Sequence, residues 1–305
     1  MTEVYFSQPG LLTPPTARAA YSDRTAWIMA KMSELAYRPF DDSDPTKAQA
    51  ARQALENDLE SGGFELVQTF SIRKGEADTQ AILIKKPGVM AILAFRGTTK
   101  DFNDIITDLK ARWIKTGNGK AHEGFVEAFK SVEDEVKTAI AALPATEPLY
   151  VTGHSLGAAL ATVAAMRCDA VHTLAACYTF GSPRVGGPEW ADGLKCPVYR
   201  VVNEADGVPL VPPSIVLAFL IPPLLWLSRI GFVGFQHAGD MRYLTVNSKL
   251  KVGAAAFVRR AYRVTLTVAL GLLKFDLRKL AFFVKDHAIG GYAKKLEDIA
   301  IDRNR

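Results

Sequence analysis

Short apolar runs alternate along this chain with longer segments in which apolar side chains recur every three or four positions, and the two patterns exchange several times. Helical spacing over Thr25 to Tyr37, closed by Pro39, and over Thr46 to Glu60, stopped by Gly62-Gly63, predicts two helices near the start. Residues 79–85 (TQAILIK) and 89–95 (VMAILAF) flank Lys86-Pro87-Gly88 and read as neighbouring strands joined by a turn. A helix over 123–143, a strand over 148–152, a helix over 157–167 and strands over 174–180 and 197–202 follow. This alternation predicts an α/β fold whose sheet is largely parallel and covered by helices on both faces. No internal repeat interrupts it, and residues 1–305 are expected to form a single domain.

Two segments depart from the alternation. Residues 214–235 (SIVLAFLIPPLLWLSRIGFVGF) carry one charge, Arg229, but Pro222-Pro223 divides them, so a buried or interfacial segment is expected rather than a membrane span. Residues 249–285 hold nine Lys/Arg against Asp276 alone, with Phe257, Ala261, Val264, Val268, Leu272 and Phe275 at helical spacing. Both read as insertions that form a helical cap, one apolar and one basic. A lipid surface suits that composition, and mutual burial or dimerisation through the same segments is the alternative.

The remaining composition narrows the class without naming it. At 49% hydrophobic and 23% charged, the chain can bury a large core and is not a disordered one. Its net charge of +5 comes with no nucleic-acid-binding motif, so a nucleic-acid partner is not expected. Cys168, Cys177 and Cys196 lack metal-ligand spacing and read as reduced packing residues. The first residues show neither the basic start nor the apolar core of a secretory signal, so a cytoplasmic or peripheral membrane location is expected.

The chemistry concentrates at Gly153-His154-Ser155-Leu156-Gly157, where a predicted strand turns at once into an alanine-rich helix. A serine on such a turn is held out at the carboxyl edge of the sheet, and only glycine on either side lets strand and helix approach so closely. Its hydroxyl needs a base, and the base an orienting carboxylate, later in the chain. Asp206, after the strand at 197–202, is the favoured carboxylate, with Glu204 as competitor. His287, beside Asp286 at the start of a terminal helix, is favoured over His237, which lies in the strand-like run 236–246. For an oxyanion, the N–H of Leu156 follows the nucleophile, and Thr98 ends an earlier strand in Phe95-Arg96-Gly97-Thr98.

Eight segments in order resemble the class 3 lipases of the α/β-hydrolase superfamily: AILAFRGTT (91–99), FNDIITDL (102–109), AHEGFVEAF (121–129), VTGHSLGAALA (151–161), YTFGSPRVGG (178–187), RVVNEADGVPLVPP (200–213), FQHAGDMRYL (235–244) and DHAIGGY (286–292). The resemblance implies a Ser155, Asp206, His287 triad, a Thr98 and Leu156 oxyanion hole, ester hydrolysis through an acyl-serine, and no metal or organic cofactor. A phospholipase A1 acting at anionic membranes and a catalytically silent lipid-binding protein are the competing expectations. The stripe Phe102, Ile105, Ile106, Leu109 and Trp113, opposite Asp101, Asp104 and Asp108, reads as a helix that either covers the site or faces the core.

Overall fold

The computed structural model describes residues 4–17, 20–74, 77–98, 112–204, 206–212, 234–253, 255–256, 259–260 and 286–304. Most of the predicted lid stripe and of both insertions therefore lies outside the described residues. Within them, strands β1 (Glu65–Lys74), β2 (Ala77–Lys86), β3 (Met90–Phe95), β6 (Leu149–His154), β7 (Leu174–Phe180), β8 (Val198–Asn203), β9 (Asp240–Leu244) and β10 (Leu250–Val252) form one sheet in that spatial order. The five central strands, β3 to β9, run parallel, and antiparallel partners close the sheet on both sides. A two-stranded ribbon of β4 (Trp113–Thr116) and β5 (Gly119–His122) stands apart from it.

Seven described α-helices accompany the strands: α1 (Asp23–Leu35), α2 (Pro45–Glu60), α3 (Glu123–Lys130), α4 (Glu133–Ala141), α5 (Leu156–Cys168), α6 (Pro188–Asp192) and α7 (Ile289–Arg303). Local chemistry sets their starts. Ser22 caps α1 by accepting from Thr25 N–H, and Asp44 caps α2 by accepting from Thr46 N–H ahead of Pro45 in the first turn.

Strand β3 explains why a run without polar alternation belongs in the sheet. Met90, Ile92 and Ala94 face one apolar cluster with Trp27 and Met29 of α1, Leu55 of α2 and Tyr292 and Leu296 of α7. Ala91, Leu93 and Phe95 face the other, with Phe125 of α3, Val136 of α4 and Leu160 of α5. Both faces of the strand are buried, so every second residue serves a different core. Burial of a single such Leu or Phe contributes about 1.5–3 kcal/mol.

The structure differs from the sequence-based expectations at several points. The helix expected over 123–143 is two helices, because Ser131 Oγ donates to Ala128 O at 2.7 Å and Val132 leaves helical backbone at φ −118°, ψ 0°. Trp113 is not on a helix: it opens β4 and stacks on Phe235, ring centroids 3.7 Å apart. His237 precedes β9 rather than lying within a strand, and Leu250–Val252, at the head of the basic segment, pairs with β9. No helix among the described residues is long and apolar enough to cross a membrane.

Candidate active site

The site is built on the carboxyl ends of β3, β6, β7 and β8. Ser155 links β6 to α5 with φ 58° and ψ −127°, a conformation few non-glycine residues adopt. Its N–H donates to Phe180 O at the end of β7, and its carbonyl accepts from Ala158 N–H, which fixes the turn from both sides. A Cβ on Gly153 would stand 2.2 Å from Gly157 O, and one on Gly157 would stand 2.3 Å from Phe95 O. Both glycines are therefore required by contact. Side chains at either position would push strand from helix.

The end of β3 lies against the same turn. A Cβ at Gly97 would come within 2.6 Å of His154 O and 3.1 Å of Ser155 Cβ, which sets the following residue, Thr98, beside the serine. Leu156 is the first residue of α5, so its N–H has no acceptor within the helix and sits at the positive end of the helix dipole. The two predicted oxyanion residues thus flank Ser155. Ser155 is 1% exposed, and its Oγ makes no hydrogen bond among the described residues.

Asp206 and His287 are brought together from opposite ends of the last part of the chain. His287 Nδ1–H donates to Asp206 Oδ2 at 3.0 Å, and the carboxylate is fully buried. The tautomer follows, because an acceptor oxygen on Nδ1 leaves Nε2 as the basic nitrogen. Tyr292 in the first turn of α7 donates its hydroxyl to the same Oδ2 at 2.5 Å, and Val208 N–H donates to Oδ1 at 2.9 Å. Burial alone pushes the Asp206 carboxyl up, but His287, Tyr292 and Arg260 outweigh it and hold it below the usual carboxylate range. Glu204, the competing carboxylate, lies 3.8 Å from Lys295 Nζ, and the competing base, His237, donates Nε2–H to Pro209 O at 2.7 Å. It is Asp206 that His287 meets.

Gly181 couples the two halves of the site. It follows Phe180, whose carbonyl holds Ser155, and its φ of +58° favours glycine. A Cβ there would lie 2.7 Å from Asp206 Oδ2 and 2.9 Å from His287 Nδ1. Serine and histidine thus border one short stretch of backbone.

His154, between Gly153 and Ser155, has a defined role. His154 Nε2–H donates to the backbone carbonyl of His287 at 2.6 Å, and its Nδ1 accepts from the Tyr37 hydroxyl at 2.8 Å. Burial, aided by the nearby His287, pushes its pKa down to about 3, so it stays neutral with the proton on Nε2. A titratable side chain inside an otherwise apolar strand was the signal available for it. On the far side, Asn203 Nδ2 donates to Asp286 O at 2.9 Å, and Lys295 donates to Asn203 Oδ1 at 2.7 Å. The histidine's backbone is anchored before and at the residue itself.

This arrangement, a serine on a strained strand-to-helix turn with a hydrogen-bonded carboxylate and histidine on later loops, stands on a mostly parallel sheet with helices on both faces: the α/β-hydrolase fold. The family described as lipase (class 3) matches residues 92–216 of this chain. A secreted mono- and diacylglycerol lipase of Fusarium solani is 38% identical over 113 residues, covering 35% of this chain and 34% of that protein. A lipase of Rhizomucor miehei is 31% identical over 185 residues, covering 56% and 46%. The chain thus spans between a third and a half of those relatives' own length. Among solved structures, the Rhizomucor miehei triacylglyceride lipase aligns with a TM-score of 0.57 at 25% identity, over 76% of this chain and 84% of that one. A triacylglycerol lipase described as having a serine protease triad at its catalytic centre aligns with a TM-score of 0.56 at 23% identity, over 78% and 90%.

Proposed function

We propose that the protein is a serine ester hydrolase that cleaves carboxylic esters of lipids, acylglycerols foremost, through an acyl-serine intermediate. The observation that carries this reading is the buried Asp206–His287 hydrogen bond, at 3.0 Å, beside a serine held at φ 58°. In the reaction, His287 Nε2 removes the Ser155 proton as Oγ attacks the ester carbonyl, then returns it to the leaving alcohol. Asp206 keeps the imidazole in the required tautomer and offsets the charge it gains. The N–H groups of Leu156 and Thr98 receive the oxyanion, and one such donor contributes roughly 3 kcal/mol to transition-state stabilisation. Ser155 and His287 expose only 1% and 8% of their surface, so an ester must reach a buried site. Ser155 Oγ makes no hydrogen bond among the described residues, which fits a resting state, because catalytic hydrogen bonds commonly tighten only when substrate binds.

A fluorophosphonate probe tests the reading directly. The expected result is labelling of Ser155 alone, with tributyrin hydrolysis lost by several orders of magnitude in Ser155→Ala and His287→Ala while KM changes little. Hydrolysis that persists in Ser155→Ala defeats it, and so does an inactive His237→Ala beside an active His287→Ala. The basic composition of 249–285 favours phospholipid at an anionic surface as the second substrate class, at a cytoplasmic or peripheral membrane location. Release of fatty acid from phosphatidylglycerol vesicles at a rate matching tributyrin selects it, and a rate near background removes it.

A further inference from the structure

The loop that carries Asp206 has its backbone carbonyls captured by cationic or polar side chains along its length. Arg184 donates to Leu210 O and to Pro212 O, the latter at 2.7 Å, and His237 donates to Pro209 O at 2.7 Å. Arg260 takes the other end: Nη1 donates to Glu204 O at 3.3 Å and Nη2 to Asp206 O at 2.8 Å. Arg184 and His237 fall in segments that resemble the class 3 lipases. Arg260 falls in the basic segment that does not.

The end held by Arg260 is the strained one. Glu204 has a φ of +34°, outside the region a residue with a side chain prefers, so this turn relaxes unless its neighbours fix it. A guanidinium presents parallel donors in a rigid fork, suited to two carbonyls two residues apart, whereas an ammonium offers a point charge. Arg260 is 7% exposed; its burial pushes its pKa down, the attraction of Asp206 opposes that shift, and Arg260 in turn is among the groups that hold the Asp206 carboxyl low. On the opposite side the same turn meets α7 through Lys295 and Tyr292. The Asp206 turn is held by α7 on one side and by Arg260 on the other.

Resting on the ester-hydrolase reading, we propose that Arg260 is a positioning residue of the triad: its guanidinium bridges the carbonyls of Glu204 and Asp206 and so fixes the Asp206 carboxylate against His287. Through Arg260 the basic segment then contributes to the catalytic apparatus. A misplacement of about 1 Å in such a constellation costs on the order of a hundredfold in rate.

The test compares wild type, Arg260→Ala and Arg260→Lys, each first required to melt cooperatively. Two readouts are taken: steady-state hydrolysis of p-nitrophenyl butyrate, and the downfield proton resonance of His287 Nδ1–H, assigned by its loss in Asp206→Asn. Arg260→Ala is expected to lower kcat by roughly ten- to a hundredfold with KM within about twofold, and to shift or broaden the resonance. Added ethylguanidinium should restore part of kcat in Arg260→Ala and none in Ser155→Ala, while Arg260→Lys falls between wild type and Ala. Unchanged kcat in Arg260→Ala overturns the proposal, as does a fall in kcat with an unmoved resonance and no rescue. A wild type that hydrolyses no ester defeats the functional reading instead, and the resonance alone then decides on Arg260.

Discussion

Gly181 occupies a point where any side chain would collide with the Asp206 carboxylate and the His287 ring together: a Cβ there would lie 2.7 Å from Asp206 Oδ2 and 2.9 Å from His287 Nδ1. Its φ of +58° adds backbone strain for any other residue. Gly181→Ala is therefore expected to reduce kcat by about a hundredfold or more, because the added methyl must part the Asp206–His287 pair. The same change should destabilise the fold by about 1–3 kcal/mol through overpacking. Paired urea denaturation and turnover measurements check both. A Gly181→Ala variant with wild-type kcat means that the pair can move aside without loss, and the triad geometry described above is then not the working one.

Tyr292 makes a quieter prediction at the same oxygen. Its hydroxyl donates to Asp206 Oδ2 and accepts from Asn203 N–H at 3.1 Å, so Tyr292→Phe removes a donor from a buried carboxylate and an acceptor from a buried amide. The expected cost is about 1–3 kcal/mol of stability. Activity should survive at roughly a tenth of wild type, because His287 and Val208 N–H still hold the carboxylate. The pH profile separates the two effects. Losing a hydrogen bond to the charged form raises the Asp206 pKa, so kcat/KM should fall away at a higher pH in acid than it does in wild type.

Acid should also unfold the protein earlier than its carboxylates alone require. Burial pushes His122 down to about 4, and both of its ring nitrogens lack hydrogen-bond partners among the described residues. His154 is pushed to about 3. Both are neutral in the folded chain at pH values where an unfolded histidine, with its ordinary pKa near 6.5, is charged. Below about pH 6.5 the unfolded state therefore binds more protons than the native state, and stability falls as pH falls. Each histidine contributes more than about 1 kcal/mol per pH unit in that window. Asp206, held below its usual range, adds a loss of the same sign only at lower pH, beneath the ordinary carboxylate pKa. Urea midpoints between pH 7 and pH 5 check this. His122→Phe should flatten the slope by about one proton, and an unchanged slope assigns the acid sensitivity elsewhere.

What the sequence disclosed follows from how each feature is encoded. The elbow was legible because Gly153 and Gly157 answer a local contact, and β3 and β6 because buried parallel strands are continuous apolar runs. β1 was not, since ELVQTFSIRK carries charges at an antiparallel edge, where a polar residue costs little. Trp113 was drawn into a helix because its spacing from Leu109 fits that period, and periodicity does not register where a strand takes over. Gly181, Tyr292 and Arg260 escaped for a different reason. Their roles depend on Asp206, which lies 25, 86 and 54 positions away from them, and no local pattern records such a meeting.

His154 carries the last expectation, and it concerns a chain of hydrogen bonds rather than a single residue. The chain begins at the Tyr37 hydroxyl, which lies so close to Gly97 at the end of β3 that a Cβ there would stand 2.1 Å from it. It continues from that hydroxyl to His154 Nδ1, and from His154 Nε2–H to His287 O. It ties the oxyanion side of the site to the backbone of the base. His154→Phe keeps the ring's bulk against His287, whose centroid lies 4.5 Å away, but removes the acceptor of the Tyr37 hydroxyl and the His154 donor to the His287 carbonyl. The expected outcome is a loss of about 1–3 kcal/mol of stability for each buried hydrogen bond broken, with kcat down roughly ten- to a hundredfold. Tyr37→Phe breaks the same chain one link earlier and should cost less activity, because the tie from His154 to His287 remains. If the links act as one unit, the double variant should be little worse than His154→Phe, a coupling read directly from a double-mutant cycle. Strict additivity of the two changes would mean that the links act independently, and that the base is held by its own loop rather than by the strand on which the oxyanion residues stand.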